Sequence, residues 1–214
     1  MPLATKATLQ PRKQPVQQRS SETVEAILQA TVQVLATVGK ERLTTTRVAH
    51  RAGVSVGTLY QYFPNKSALL QAILRRHIQG VQTAVEQVCQ QQRSRPVQEM
   101  ATSLVDAFLG AKMRNVRESK MLYSVSSDVD GMAIAEAAGK RVRHALAGMF
   151  ATAPEGLTKD PELVASVVSA ALNGISRRLL ESKSPERHLP VLREELLTLL
   201  HAYLRTCTRT SIPI

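Results

Sequence analysis

Residues 44–69 read TTTRVAHRAGVSVGTLYQYFPNKSAL, and this stretch decides how the chain folds. Thr44 is a good N-cap for a short helix, whose Val48 and Ala49 face inward. Gly53 supplies a tight turn in a left-handed conformation that a Cβ would penalise. Ser55 caps a second short helix, which Pro64 cannot extend. Leu59 and Phe63, four residues apart on one face, are its core anchors. Its other side chains, Ser55, Gly57, Thr58, Tyr60, Gln61 and Tyr62, are too small or too polar to build a core. They suit close contact with a polar partner, and duplex DNA is the natural one.

Upstream, Val24, Ile27, Leu28, Thr31, Leu35 and Val38 recur at helical spacing, with Ser20 or Ser21 as cap and Gly39 as stop. Residues 1–19 carry three prolines and four basic groups without periodicity, which reads as a flexible basic tail. That tail is either a solubilising end or a minor-groove arm. Downstream, a long helix opens at Lys66 with Leu69, Leu70, Ile73, Leu74, Ile78, Val81, Val85 and Val88 on one stripe, and Pro96 breaks it. Helices follow over about 97–113, 118–126 and 130–150. Asp160–Pro161 opens another to about Lys183, and a last one runs from about Pro190 to Cys207. No strand alternation or internal repeat appears. The expected fold is all-α with about nine helices: a tail over 1–19, a three-helix head over 20–66, and a helical body over 67–214.

Composition narrows the partners. The 214 residues carry a formal charge of +11 and 43% hydrophobic residues, ordinary for a folded soluble chain. Residues 1–66 hold nine Lys/Arg against three acids, whereas residues 67–214 hold nineteen against fourteen. The basic density of the first third fits nucleic acid, and by itself fits an anionic membrane surface equally. No apolar run approaches the roughly 18 residues of a membrane span, and no signal-peptide h-region follows the basic N-terminus. Cys89 and Cys207 stand alone, so neither a disulfide scaffold nor a zinc site is supported, and a reducing cytoplasm is expected. His50, His77, His144, His188 and His201 form no metal-binding pair, and no phosphate loop or nucleophile elbow is present. Neither an enzyme, a metal nor a cofactor is expected.

Ala49, Gly53 and Leu59 have the spacing of a helix-turn-helix: a small crossing residue, a turn glycine and an apolar anchor. The longer string SVGTLYQYFPNKSALL closely resembles the signature of TetR-family transcriptional regulators, over about residues 21–75. The resemblance implies a DNA-binding head, an effector-binding body, a homodimer and no cofactor. It also places contacts. Thr45 and Thr46 would meet phosphate or a base edge, and Ser55, Val56, Gly57 and Thr58 would lead the recognition helix into the major groove. Tyr60 would pack on the DNA backbone, Gln61 would read a base, and Tyr62 and Lys66 would clamp phosphates. Taken singly, Tyr60 and Tyr62 read equally as core-edge aromatics. Leu35 and Lys40 depart from the family pattern, where aromatics are commoner.

In the body, Leu172, Ile175, Leu196, Leu199, Leu200 and Tyr203 are expected at a dimer interface of two helices per subunit, or else in the body's own core. An effector cavity is expected to draw on Val85, Leu104, Phe108, Met121, Tyr123 and Asn173, residues that equally suit plain core. The basic cluster Lys112, Arg114, Arg117 and Lys120 either attracts an anionic effector or is a solvated surface. The expected function is a ligand-responsive repressor that binds a palindromic double-stranded operator as a dimer and answers to an unidentified small molecule. An activator of the same fold, or a basic helical scaffold without sequence-specific DNA binding, is the alternative.

Overall fold

Helical periodicity becomes nine helices among the described residues, 14–125 and 131–209 of a computed structural model, with side chains described from Ser20. They are α1 (Gln14–Arg42), α2 (Thr45–Ala52), α3 (Val56–Tyr62), α4 (Lys66–Gln91), α5 (Val97–Met113), α6 (Val116–Val125), α7 (Gly131–Phe150), α8 (Pro161–Glu181) and α9 (Pro185–Cys207). The only extended pairing among these residues is an isolated bridge between Leu157 and Thr208. The chain divides into two compact units, one ending at Leu69 and one beginning at Leu70.

Two expected boundaries move. Helix α1 is already running at Gln14, so Ser20 and Ser21 lie inside it rather than capping it, and residues 14–19 are helix, not tail. Residues 1–13 of the expected tail lie outside the described residues. Helix α9 begins at Pro185, not Pro190. Proline at the first helical position loses no bond, because that N–H would be unpaired anyway. Pro190 sits inside the helix, where its missing N–H forfeits one backbone bond without ending the run.

In the head unit α1 breaks at Gly39, whose φ of 76° takes it out of the helix where the sequence places the stop. The turn between α2 and α3 follows the same logic. Gly53 sits at φ 69°, and its N–H and that of Val54 reach back to the carbonyls of His50 and Ala49 at 3.2 and 3.0 Å. These bonds close the orphan carbonyls at the end of α2. Ile27, Leu35, Leu43, Val48, Ala49, Leu59 and Leu69 are buried, with Phe63 at the margin. Thr31, also buried, returns its hydroxyl to the Ile27 carbonyl at 2.7 Å.

The body unit has one core, in which Val81, Val85 and Val88 of α4 meet Met100, Leu104, Val105 and Phe108 of α5, Leu146 and Phe150 of α7, and apolar residues of α8 and α9. Helix α5 starts after Pro96 with no side-chain cap of its own. Glu155 fills that role from the loop after α7, accepting from the Val97 N–H at 3.2 Å, and a carboxylate there also suits the helix dipole. Both cysteines are buried and unpaired. Burial and the neighbouring Glu86 push the Cys89 thiol up to about 12, so it holds its proton at neutral pH.

Leu172, Leu196 and Leu200 are buried in this core, and Ile175 and Tyr203 pack partly buried against it. The expected interface therefore needs correcting. The bulkiest apolar groups of α8 and α9 serve the subunit's own interior, and of the six residues named only Leu199 is exposed, at 54%. Their stripes point inward because one face of each helix must close the core of its own body.

A polar cluster lies where α4, α5 and α6 meet. His77 of α4, Lys112 of α5 and Ser119 of α6 converge there. The Ser119 hydroxyl donates to the Lys112 carbonyl at 2.7 Å, and its oxygen lies 3.4 Å from His77 Nε2. With its only proton committed, Ser119 can merely accept from the imidazole, so neutral His77 carries its hydrogen on Nε2. Burial, and secondarily the Lys112 charge, lower the His77 pKa from 6.5 to about 4.

Two measurements follow. Leu59 is fully buried, and Leu59→Ala should cost the head about 2–5 kcal/mol, read as a shift in its urea midpoint by circular dichroism. Because His77 titrates lower folded than unfolded, the unfolded chain binds the extra proton between pH 6.5 and about 4. This contribution is complete above pH 6.5 and is lost as pH falls through that window, by about 3 kcal/mol. His77→Gln should flatten that part of the stability profile; an unchanged acid slope would contradict it.

Candidate nucleic-acid interface

Helix α3 is seven residues long and buries one of them, Leu59. With Phe63 just beyond its end, that anchor seats the helix. Ser55, Val56, Gly57, Tyr60 and Gln61 are exposed, and Thr58 and Tyr62 are partly so. The outward face is therefore the one whose residues are too small or too polar for a core.

Local hydrogen bonds set this face. Ser55 Oγ accepts the Thr58 backbone N–H at 2.9 Å, the N-cap bond expected of it, and lies 2.8 Å from the Thr58 hydroxyl. Two hydroxyls sharing one such bond commit one proton between them and keep the other for a partner. The pair thus offers one donor, not two. Tyr60, 49% exposed, holds its phenol 3.1 Å from the Thr45 hydroxyl, which ties the start of α2 to the middle of α3. Thr46, next along α2, is exposed.

Lys66 does not stand out as a free clamp. It is half-buried, and its ammonium donates to the Lys40 carbonyl at 2.6 Å, just past the break at Gly39. The bond closes an acceptor at the end of α1, so Lys66 is first a strut of the head.

Motif and resemblance alone do not single out the arginines of α2. Arg51 donates to Gln33 Oε1 at 2.6 Å and Arg47 to the Arg42 carbonyl at 3.3 Å. Both line an open cleft of about 470 Å³ with Gln33, Val34, Thr37 and Val38 of α1. Their spacing of four on an otherwise uncharged helix was the available signal. His50, exposed between them, belongs to the same basic surface.

The residues expected around an effector divide. Val85, Leu104 and Phe108 lie in the packed core, Met121 is partly buried, and Tyr123 and Asn173 are exposed. Tyr123 is instead a platform for Arg177 of α8, whose guanidinium carbon lies 5.8 Å from the ring centre. Asn173 turns its amide back to the Ser169 carbonyl at 2.9 Å. A cleft of about 570 Å³ between α4 and α7 is lined by Glu86, Cys89, Arg93, Lys140, Arg141 and His144, none of them foreseen.

Residues 27–73 match the family model for bacterial regulatory proteins of the tetR family, and residues 96–204 match that for the tetracyclin repressor-like C-terminal domain. The chain belongs to the TetR family. An uncharacterized HTH-type transcriptional regulator of Mycobacterium tuberculosis is 33% identical over 93 residues, 42% of this chain and 46% of that protein. The class C tetracycline repressor protein of Escherichia coli is 47% identical over 49 residues, 23% of this chain and 22% of its own length. The chain thus aligns with less than half the length of these relatives. In three dimensions it is similar to SmeT, the repressor of the Stenotrophomonas maltophilia multidrug efflux pump SmeDEF, with TM-score 0.65 and 21% identity, covering 90% of this chain and 95% of SmeT. SmeT has also been solved as a complex with triclosan. At that identity the likeness speaks for the fold.

The TetR-family head makes Gly57 informative. A Cβ built there meets only Ser55 Oγ, at 3.7 Å, so the fold does not require glycine. Gly57→Leu should keep or raise the melting temperature, since leucine is the better helix former by up to about 1 kcal/mol. The same change should cut affinity for duplex DNA at least tenfold by blocking close approach. Unaltered affinity in a mobility shift would take Gly57 off the contact surface.

Proposed function

We propose that the protein is a transcriptional repressor that binds a palindromic operator as a homodimer and releases it when a small molecule occupies the body. The observation that carries the reading is the economy of α3: one buried anchor, a capped start, and every other residue at least partly exposed. Such a helix contributes little to a core and much to a groove. Direct base readout would fall to Gln61, whose amide can pair with adenine in two places, and to Val56, which can meet only a thymine methyl. Thr45, Thr46, Ser55, Thr58, Tyr60 and Tyr62 would hold the register on phosphates.

Dimerisation has a face of its own. On α8, Leu163, Val167, Ala170 and Gly174 follow at helical spacing and are exposed, and on α9 Val191, Leu199 and Ala202 are exposed likewise. These residues, on the opposite side from the buried stripes, would form the bundle across a twofold axis. The length and mean hydropathy of 1.2 of α8 would also suit a membrane span, but 44% of that window is buried inside the body. A helix with one face in a core and a second apolar face outside is better matched to a partner subunit than to lipid. The protein would accordingly work in the cytoplasm.

Effector sensing is supported by family membership and by the triclosan complex of SmeT. Helix α4 is one uninterrupted run from Lys66 to Gln91, so a displacement of it on binding would alter the spacing of two recognition helices.

A mobility shift against the chain's own upstream DNA, with a scrambled duplex as control, tests the reading. Specific binding should exceed non-specific by at least about 10³-fold. Equal affinity for both duplexes would refute sequence-specific regulation. In the same assay Val167→Glu and Leu199→Glu should yield folded monomers by sedimentation velocity and weaken the specific complex. Dimers that persist in both variants would move the interface elsewhere.

A further inference from the structure

The cleft of about 470 Å³ between α1 and α2 is lined by cationic, amide, hydroxyl and aliphatic groups, with no carboxylate among them. Its charge comes from Arg47 and Arg51, four residues apart on α2, a spacing at which like charges repel. Neither has a carboxylate partner among the described residues. Arg51 Nε donates to Gln33 Oε1 at 2.6 Å, and Arg47 Nη1 to the Arg42 carbonyl at 3.3 Å. These bonds orient the two guanidiniums yet engage little of them. Each carries five N–H donors, so most of both forks stays open.

The surrounding sequence brings no counterion. Between Glu25 and Glu86 the only acid is Glu41, against seven lysines and arginines, and Glu41 already lies 4.0 Å from Lys40. The cleft also borders the face proposed for DNA. Thr45, whose hydroxyl lies 3.1 Å from the Tyr60 phenol of α3, stands two residues before Arg47. Along α2 the exposed residues are Thr46, Arg47, His50 and Arg51, so the basic edge begins where the candidate contacts of α2 end.

We propose that this cleft is a phosphate-binding site, in which Arg47 and Arg51 hold one phosphate of the DNA backbone outside the groove that α3 enters. The assignment rests on the DNA-binding reading above and adds to it a backbone contact built from α1 and α2. Planar guanidinium forks match the two non-bridging oxygens of a phosphodiester, and Gln33 holds that of Arg51 in place. Such a contact carries no sequence information. It sets affinity and its dependence on salt.

The test uses the full-length protein with its own upstream DNA and a scrambled duplex. Arg47→Gln and Arg51→Gln, combined, should weaken both duplexes alike, at least about tenfold near 0.1 M salt. They should also reduce the slope of log K against log salt by about 0.9 for each bound subunit. Lys140→Gln with Arg141→Gln, which removes the same charge from the body, should change neither quantity. Gln33→Glu, which sets a carboxylate beside Arg51, should weaken both duplexes as the arginine variants do. All head variants should melt within about 3 °C of the wild type, because the bonds they lose are exposed. Methylphosphonate linkages, which neutralise one phosphate at a time, locate the contact. One linkage in each half-site should weaken the wild type and leave the double arginine variant unaffected.

Unchanged affinity and salt slope in the double arginine variant would overturn the proposal, as would methylphosphonate penalties that all persist in it. Inorganic phosphate is titrated separately, with the Arg51 Nε–H followed by NMR. A saturable shift there, with DNA binding indifferent to both arginines, would assign the cleft to free phosphate and overturn the DNA contact. Specific DNA binding that ignores both arginines sinks this inference alone. Equal affinity for the two duplexes, weakened in the variants, upholds the phosphate contact and sinks the repressor. Absence of any duplex binding overturns both.

Discussion

The left-handed turn at Gly53 is the constraint on which the head depends. Its positive φ lets the last carbonyls of α2 be satisfied by the N–H groups of Gly53 and Val54, so α2 ends sharply. Two residues later Ser55 opens α3 by accepting the Thr58 N–H. A side chain at position 53 would be strained by roughly 1–2 kcal/mol, and relief of that strain would change the angle between the two helices. That angle, together with the Leu59 anchor, keeps the hydroxyl-rich face of α3 outward. The Thr45–Tyr60 bond then joins the two helices on that face, so the surface proposed for DNA is braced by its own side chains.

The body follows a different rule. Each of α8 and α9 has two apolar faces, one turned into the core and one left outside it. Leu172, Leu196 and Leu200 close the interior, while Leu163, Val167, Val191 and Leu199 remain outside it. Small residues, Ala170 and Gly174, lie on the outer face of α8, where a second helix could approach closely.

Much of this was legible in the chain. Thr44, Gly53, Ser55 and the Asp160–Pro161 pair act through bonds to residues three or four positions away, so capping and turn chemistry could be read directly. Leu59 and Phe63 stood out because few other residues near them could serve a core. Less legible was which of two apolar stripes on one helix turns inward. Leu172 and Val167 are both aliphatic and separated by five positions, and periodicity alone does not rank the two faces.

What the sequence by itself determined is the succession of helices, their caps and the composition of the recognition face, because these rest on interactions within a single turn. The tertiary structure decided which stripe meets the core, that Lys66 braces the end of α1, and that Lys112, His77 and Ser119 share one place. Those outcomes join residues between 7 and 42 positions apart, and only the packing of separate helices brings such groups within bonding distance.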